Sequence, residues 1–203
     1  MSRNIKTIFL AVLLVLSFFI DPVFADKRSP QDCVEEMLTT IQKIKTGDKL
    51  TTDEKKANRE RSRKALNYLN INVISQKTLG KHWKKLSDAD KTRFSKLLGD
   101  LFIYVAFPNS GKFFADLKLA FAETEIEEKT AFVPMSVRQK NEGEIEIDFY
   151  LTQNSADWKV VDVHMDGVSM RNNLRSQFKR ILSKEKFSDL ILRMEKKLQA
   201  AKA

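Results

Sequence analysis

One cysteine, two histidines, four prolines and six glycines among 203 residues exclude several kinds of protein at the outset. A single cysteine rules out an internal disulfide framework, and two histidines in different parts of the chain leave little for a metal centre. So few prolines and glycines exclude collagen-like and low-complexity scaffolds. There is no glycine-rich phosphate loop, and neither His82 nor His164 belongs to a ligand-spaced cluster such as H-E-x-x-H. What is abundant is apolar bulk at 42% and charge at 31%, enough to bury a core and to exclude intrinsic disorder. The length suits one domain.

Long uncharged runs are also scarce. The one that matters spans residues 7–20 (TIFLAVLLVLSFFI), behind Arg3 and Lys6 and ahead of Asp21-Pro22. It is too short to span a bilayer comfortably. With Val23 and Ala25 as small residues before Asp26, it reads as a secretory signal peptide over residues 1–25, cut after Ala25. The mature domain is then expected to be residues 26–203, with a net charge of +8 where the whole chain has +9, working outside the cytosol. Cys33 follows Pro30-Gln31-Asp32, which is no lipobox, and is expected to be a half-buried small hydrophobe.

Charge is segregated along the chain. Residues 43–64 carry nine basic and four acidic groups and residues 167–203 ten and three, whereas residues 116–166 carry five and twelve. Hydrophobic period changes at the same places, so helices are expected to supply the positive surface and a sheet the negative one. Ser29-Pro30 and the Thr51/Glu54 pair predict two capped helices. A shorter helix holds Ile74, Leu79 and Trp83, and Ser87 caps another whose apolar face runs from Phe94 to Val105 and ends near Pro108-Asn109-Ser110-Gly111. Alternation then predicts about four antiparallel strands, through Leu117–Phe121, Val133–Val137, Ile145–Leu151 and Trp158–Val163, with hairpin loops at 141–143 and 154–157. Two helices close the chain. Helices, then a meander, then helices is an α+β arrangement.

Catalytic signals are weak. Gly167-Val168-Ser169-Met170-Arg171 starts like a nucleophile elbow, but Arg171 stands where a second glycine is required. Asp162, His164 and Asp166 alternate along one strand, more simply read as polar residues facing solvent or pairing with arginines than as an acid/base site. Basic helices without interleaved aromatic residues do not specify nucleic acid, so none is expected as a partner; anionic lipid headgroups or an acidic partner surface suit them better. The ten phenylalanines after residue 25 fit either a dry core or a cavity for a greasy ligand, and composition does not choose between them.

Two stretches resemble a known family. Leu79-Gly80-Lys81-His82-Trp83, with Ser87 and Phe94 behind it, is similar to the "LGxxW…S…xxxF" signature of the MlaC family, periplasmic phospholipid-binding proteins also called the toluene-tolerance family. Trp158-Lys159-Val160-Val161-Asp162-Val163, then Asp166-Gly167-Val168-Ser169-Met170 and Arg175-Ser176-Gln177-Phe178, resembles that family's "WKVYDVxxEGVSLxxxYRSQF" block, and Ile147, Phe149 and Leu151 its preceding "VxYxL" strand. Val161 and Leu174 each replace a usual tyrosine, and Pro108-Asn109-Ser110 interrupts the region after Tyr104.

The resemblance implies a nuclear-transport-factor-2-like fold, a curved antiparallel sheet with helices enclosing an apolar cavity. It implies a soluble periplasmic carrier that needs no cofactor, metal or catalytic residue and moves phospholipid between an outer-membrane lipoprotein complex and an inner-membrane ABC transporter with an MCE-domain ring. Trp83, Leu98, Leu101, Val105, Val133, Met135, Val137, Ile147, Phe149, Val163 and Phe178 are expected to line one cavity for acyl chains, with Asp162 and Arg175 as a structural pair. The competing readings are a small periplasmic enzyme of the same fold, an isomerase or hydrolase with a polar group deep in the pocket, and an adaptor or chaperone with no ligand.

Overall fold

Helix caps fix where the first elements begin. Ser29 Oγ accepts from the Asp32 amide at 3.0 Å, and the Asp32 carboxylate accepts from the Ser29 amide at 3.2 Å; with Pro30 in the first turn, this box starts α1 (Pro30–Gln42). Thr51 and Glu54 form the same reciprocal box at α2 (Thr52–Leu66). Asn70 caps α3 (Ile71–Leu79), which passes at Gly80 into a 3-10 turn over Gly80–Lys85. Ser87 caps α4 (Asp88–Leu101). The computed structural model describes residues 28–47, 49–139, 143–155 and 157–202; the leader read at residues 1–25 lies outside them.

The rod begun by α4 does not stop at Pro108, where the sequence suggested its end. It passes through a π-helical segment, Phe102–Ala106, in which the Phe107 amide reaches back to the Phe102 carbonyl, and continues as α5 (Phe107–Phe114). Proline lacks the amide hydrogen that an α ladder needs, and here it falls in the first turn of α5, where that amide would go unused. Gly111 then lets α5 pass close over α1, since a Cβ there would meet the Ile44 Cβ at 3.0 Å and the Ile41 carbonyl at 3.1 Å.

Among the described residues the sheet has six strands where about four were expected. They are β1 (Leu119–Phe121), β2 (Glu125–Glu127), β3 (Thr130–Gln139), β4 (Gly143–Asn154), β5 (Asp157–Met165) and β6 (Val168–Ser169). All pairings are antiparallel, in the order β1-β3-β4-β5-β6 with β2 also on β3. The two added strands are short edge pieces. β6 follows Asp166-Gly167, both at positive φ, the backbone that a two-residue hairpin turn of this twist requires. The turn residues 140–142 lie outside the described set. The outer edge of β5 is covered near Val160 by the α2–α3 connection, where the Val160 amide donates to the Tyr68 carbonyl and the Asn70 amide to the Val160 carbonyl.

Two further helices, α6 (Met170–Leu182) and α7 (Phe187–Lys202), complete the chain. Apolar burial divides into two clusters. The first joins the inner sheet face to α1, Ala65, Tyr68, Phe107 and Phe114; the second is made by α3, α4, α6 and α7 around Phe94, which stands edge-on to Phe178 at 5.6 Å. The architecture is α+β, as the sequence indicated.

Candidate functional site

Strand register puts the expected sheet residues together. Val133 pairs with Phe149, Met135 with Ile147, Val137 with Ile145 and Phe149 with Val163, so all share one face. Simple alternation along β5 would set Trp158, Val160, Asp162 and His164 on one side. A bulge at Val161 resets the phase: Val160 pairs with Leu151 but Asp162 with Tyr150, so Val163 turns inward while Asp162 and His164 turn outward. The centre of the inner face is covered, Val133 being 0% and Phe149 2% exposed, beneath α1 with Phe107 and Phe114, while Ile145 and Val163 on the same face are half-buried.

The helix residues of the expected cavity lie elsewhere. Leu98 and Phe178 are buried in the second cluster, with Trp83 and Leu101 packed at its margin. Val105 is half-buried on the π segment. Ten of the eleven residues therefore divide between two clusters, six on the sheet side and four on the helix side, and Val105 belongs to neither. The reason is the length of the α4–π–α5 rod, whose first half packs on α7 and whose second half packs on the sheet side. Phe102 and Leu69 touch both clusters and mark the seam. Phe102 lay within the helical stripe of the sequence; nothing in the pattern distinguished it.

The expected pair of Asp162 with Arg175 is corrected. Asp162 Oδ2 accepts from Ser169 Oγ at 2.7 Å and Arg171 Nη2 at 3.2 Å, with His164 Nε2 at 3.3 Å; Oδ1 accepts from the Arg171 amide at 3.0 Å and the Val163 amide at 2.9 Å. The carboxylate is buried and its lone pairs are satisfied, at the N-terminus of α6 where the helix dipole favours a negative charge. Arg171 enters α6 beside β5; Arg175, one turn on, lies against Gly80 instead, its guanidinium 3.3 Å from where a Cβ would stand. Gly80, at φ +54, is what permits that approach.

The same contacts decide the chemistry of Ser169. Its hydroxyl donates to Asp162 and accepts from the Asn172 amide at 2.9 Å, so it works as a helix cap and not as a nucleophile hydrogen-bonded to an imidazole. Cys33 is fully buried, its thiol 3.1 Å from the Trp158 carbonyl, and burial pushes its pKa up to about 11, far from a reactive thiolate. Among the described residues no group of His, Cys, Asp and Glu side chains could hold a metal ion. An open groove of about 490 Å³ between α4 and α7 has Leu97, Leu192 and Leu198 along it. Its rim charges pair with each other, Arg93 with Glu195 at 2.8 Å and Lys96 with Asp100 at 3.0 Å. No helix of the described residues is long and apolar enough to cross a membrane.

Comparison with known proteins adds three findings. The family described as MlaC protein matches residues 31–196. No curated protein matches the chain. The fold is similar to that of a phospholipid-binding protein from Ralstonia solanacearum, solved in complex with a phospholipid, with a TM-score of 0.68 and 15% identity over 88% of this chain and 100% of that one.

Proposed function

Taking as premise that this chain belongs to the MlaC family, which matches it over residues 31–196, we propose that it is a binding protein for phospholipid and not an enzyme. The observation that carries this reading is the continuous apolar sheet face roofed by separate helices, in the same fold as a protein solved with a phospholipid. The acyl chains would lie between the two clusters, against Val133, Met135, Val137, Ile147, Phe149 and Val163 on one side. Trp83, Leu98, Leu101, Val105 and Phe178 would close the other, with Phe102 and Leu69 parting to admit them. Because the centre of the inner face is covered in the structure described, uptake requires the helices to move off it.

A carrier is needed because each methylene withdrawn from a bilayer into water costs about 0.8 kcal/mol, which makes unassisted crossing of an aqueous space negligible. We assign that space to the periplasm, residues 1–25 serving as the leader. There the protein would pass phospholipid between an outer-membrane lipoprotein complex and an inner-membrane ABC transporter with an MCE-domain ring, and so maintain the lipid asymmetry of the outer membrane. Such a role uses no metal, no cofactor and no acid/base pair.

Native purification of the full chain followed by lipid extraction and mass spectrometry tests the binding step. Stoichiometric phospholipid is the expected result. Protein free of lipid that also fails to take up labelled phospholipid from vesicles would overturn the reading. Transfer to the inner-membrane partner should slow as salt rises from about 0.05 to 0.5 M, because encounter is steered by charge, whereas retention should not change, because apolar burial is unscreened.

A further inference from the structure

The 3-10 turn Gly80–Lys85 places Lys81, His82, Trp83, Lys84 and Lys85 in six residues with no carboxylate among them. Lys81, Lys84 and Lys85 are exposed, and no ion pair engages them among the described residues. Arg175 joins them from α6, its guanidinium against Gly80, exposed and likewise without a carboxylate. Some basic residues elsewhere are paired, Lys91 with Asp88, Lys96 with Asp100 and Arg193 with Glu185, and the basic face of α2 has no aromatic residue among its lysines and arginines. The turn is the place where lysines and an arginine crowd together around one partly exposed indole.

That combination has a physical meaning. Indole rings prefer the headgroup level of a bilayer, where an apolar body and a polar edge are both accommodated, and clustered lysines are drawn to anionic headgroups at the same depth. The lysines alone would be attracted to any acidic surface; the indole among them adds the preference for the headgroup level of a bilayer. Trp83 is also anchored from behind, packed against the second cluster, so the turn is held in place instead of folding on contact. We propose that Gly80–Lys85 with Arg175 is a docking foot for the surface of an anionic phospholipid bilayer, engaged directly by this chain without a protein receptor. The inference rests on this surface and not on the phospholipid-carrier reading, although a carrier would use it to reach its lipid.

The test is co-flotation of the full chain with vesicles of phosphatidylcholine alone and of phosphatidylcholine containing phosphatidylglycerol, at low and high salt. Binding to the anionic vesicles only, lost at high salt, is expected. The charge reversals Lys81→Glu and Lys84→Glu together should weaken it about tenfold or more. Lys55→Glu and Lys56→Glu, an equal change of charge on the exposed side of α2, should leave most of it intact. Replacing Trp83 with phenylalanine should weaken binding several-fold while the chain stays folded by circular dichroism. No flotation with anionic vesicles, alongside capture by an acidic partner protein, would overturn the proposal in favour of a protein-docking surface. Equal losses from the α2 and the turn variants would overturn it in favour of diffuse attraction to the whole basic face. Lipid uptake into the protein is read separately by mass spectrometry, so failure of the foot and failure of the carrier reading are distinguishable.

Discussion

Helices α1 and α6 are each thirteen residues long, yet α1 buries Cys33, Val34, Met37, Leu38 and Ile41 among others, while α6 buries Phe178 alone. The first is wedged between the sheet and its neighbours with an apolar stripe wider than one face. The second carries Arg171, Arg175, Lys179 and Arg180 through the same length and meets its cluster with a single ring and half-covered Leu174, Ile181 and Leu182. The difference separates a region built to stay shut from one that can be displaced at low cost. Regions that open are drawn from the lightly buried end of a structure, so α6 and its cluster are the side expected to yield to a ligand.

The sharpest way to break this contrast is a charge placed in each region. Val133→Asp, at a position with no exposure on the sheet face, should abolish cooperative unfolding or cost more than about 4 kcal/mol. Leu174→Asp on α6 should cost no more than about 1 kcal/mol in the same urea titration. Comparable losses would erase the distinction between the two helices.

Phe178→Ala tests the single anchor of α6. Removing its ring from the edge of Phe94 should cost about 3 kcal/mol and raise amide exchange along α6 before any change reaches α1. Asp162 is the next strongest hold. Asp162→Ala leaves the Arg171 guanidinium and its first-turn amide without their acceptor, for about 2 to 3 kcal/mol, whereas Arg175→Ala should lie within about 0.5 kcal/mol, because Arg175 stands against glycine and not against the carboxylate. Thermal midpoints of the two variants check the reassigned pair.

The smallest effect lies in α1. Burial raises the Cys33 pKa from 9.0 to about 11, so the folded state favours the protonated thiol. Its contribution is complete below pH 9 and is lost as pH rises toward 11. Urea midpoints should therefore fall across that alkaline window in the native chain and fall less in Cys33→Ala. Thiol reagents should leave Cys33 untouched at neutral pH until the protein unfolds.

These contrasts also show which features could be read in the chain. Both helix starts were visible because the Ser29-Pro30 cap and the Thr51/Glu54 box are local rules, satisfied within one turn, although the return bond from Asp32 at the first was not read. The inner strand face was visible through alternation, and Val163 was placed on it even though a bulge intervenes. The bulge itself was not legible: an extra residue at Val161 shows only when β4 is laid beside it. The β5–β6 hairpin was legible and overlooked, since Asp166-Gly167 between Met165 and Val168 is a strong two-residue turn signal. The partner of Asp162 depended on which turn of α6 meets the sheet, and a difference of four residues between two arginines carries no local cue. Division of the apolar residues into two clusters was beyond composition, because either cluster alone has the content of an ordinary core.

The π segment holds a record of chain length. A turn closed from Phe107 back to Phe102 accommodates one residue more than an α turn. Deleting any single residue from Phe102 to Ala106 would let the hydrogen-bond ladder run straight through. The rest of the rod would keep its phase, whereas converting the segment to α with no deletion would turn everything after it by about 100°, carrying Phe107 and Phe114 away from the sheet side. The segment has the form of a one-residue insertion absorbed by the wider turn, which leaves the packing of α5 where an uninterrupted α rod would put it. Relatives of this chain that lack the insertion should therefore carry their sheet-facing aromatic residues one position earlier along the rod.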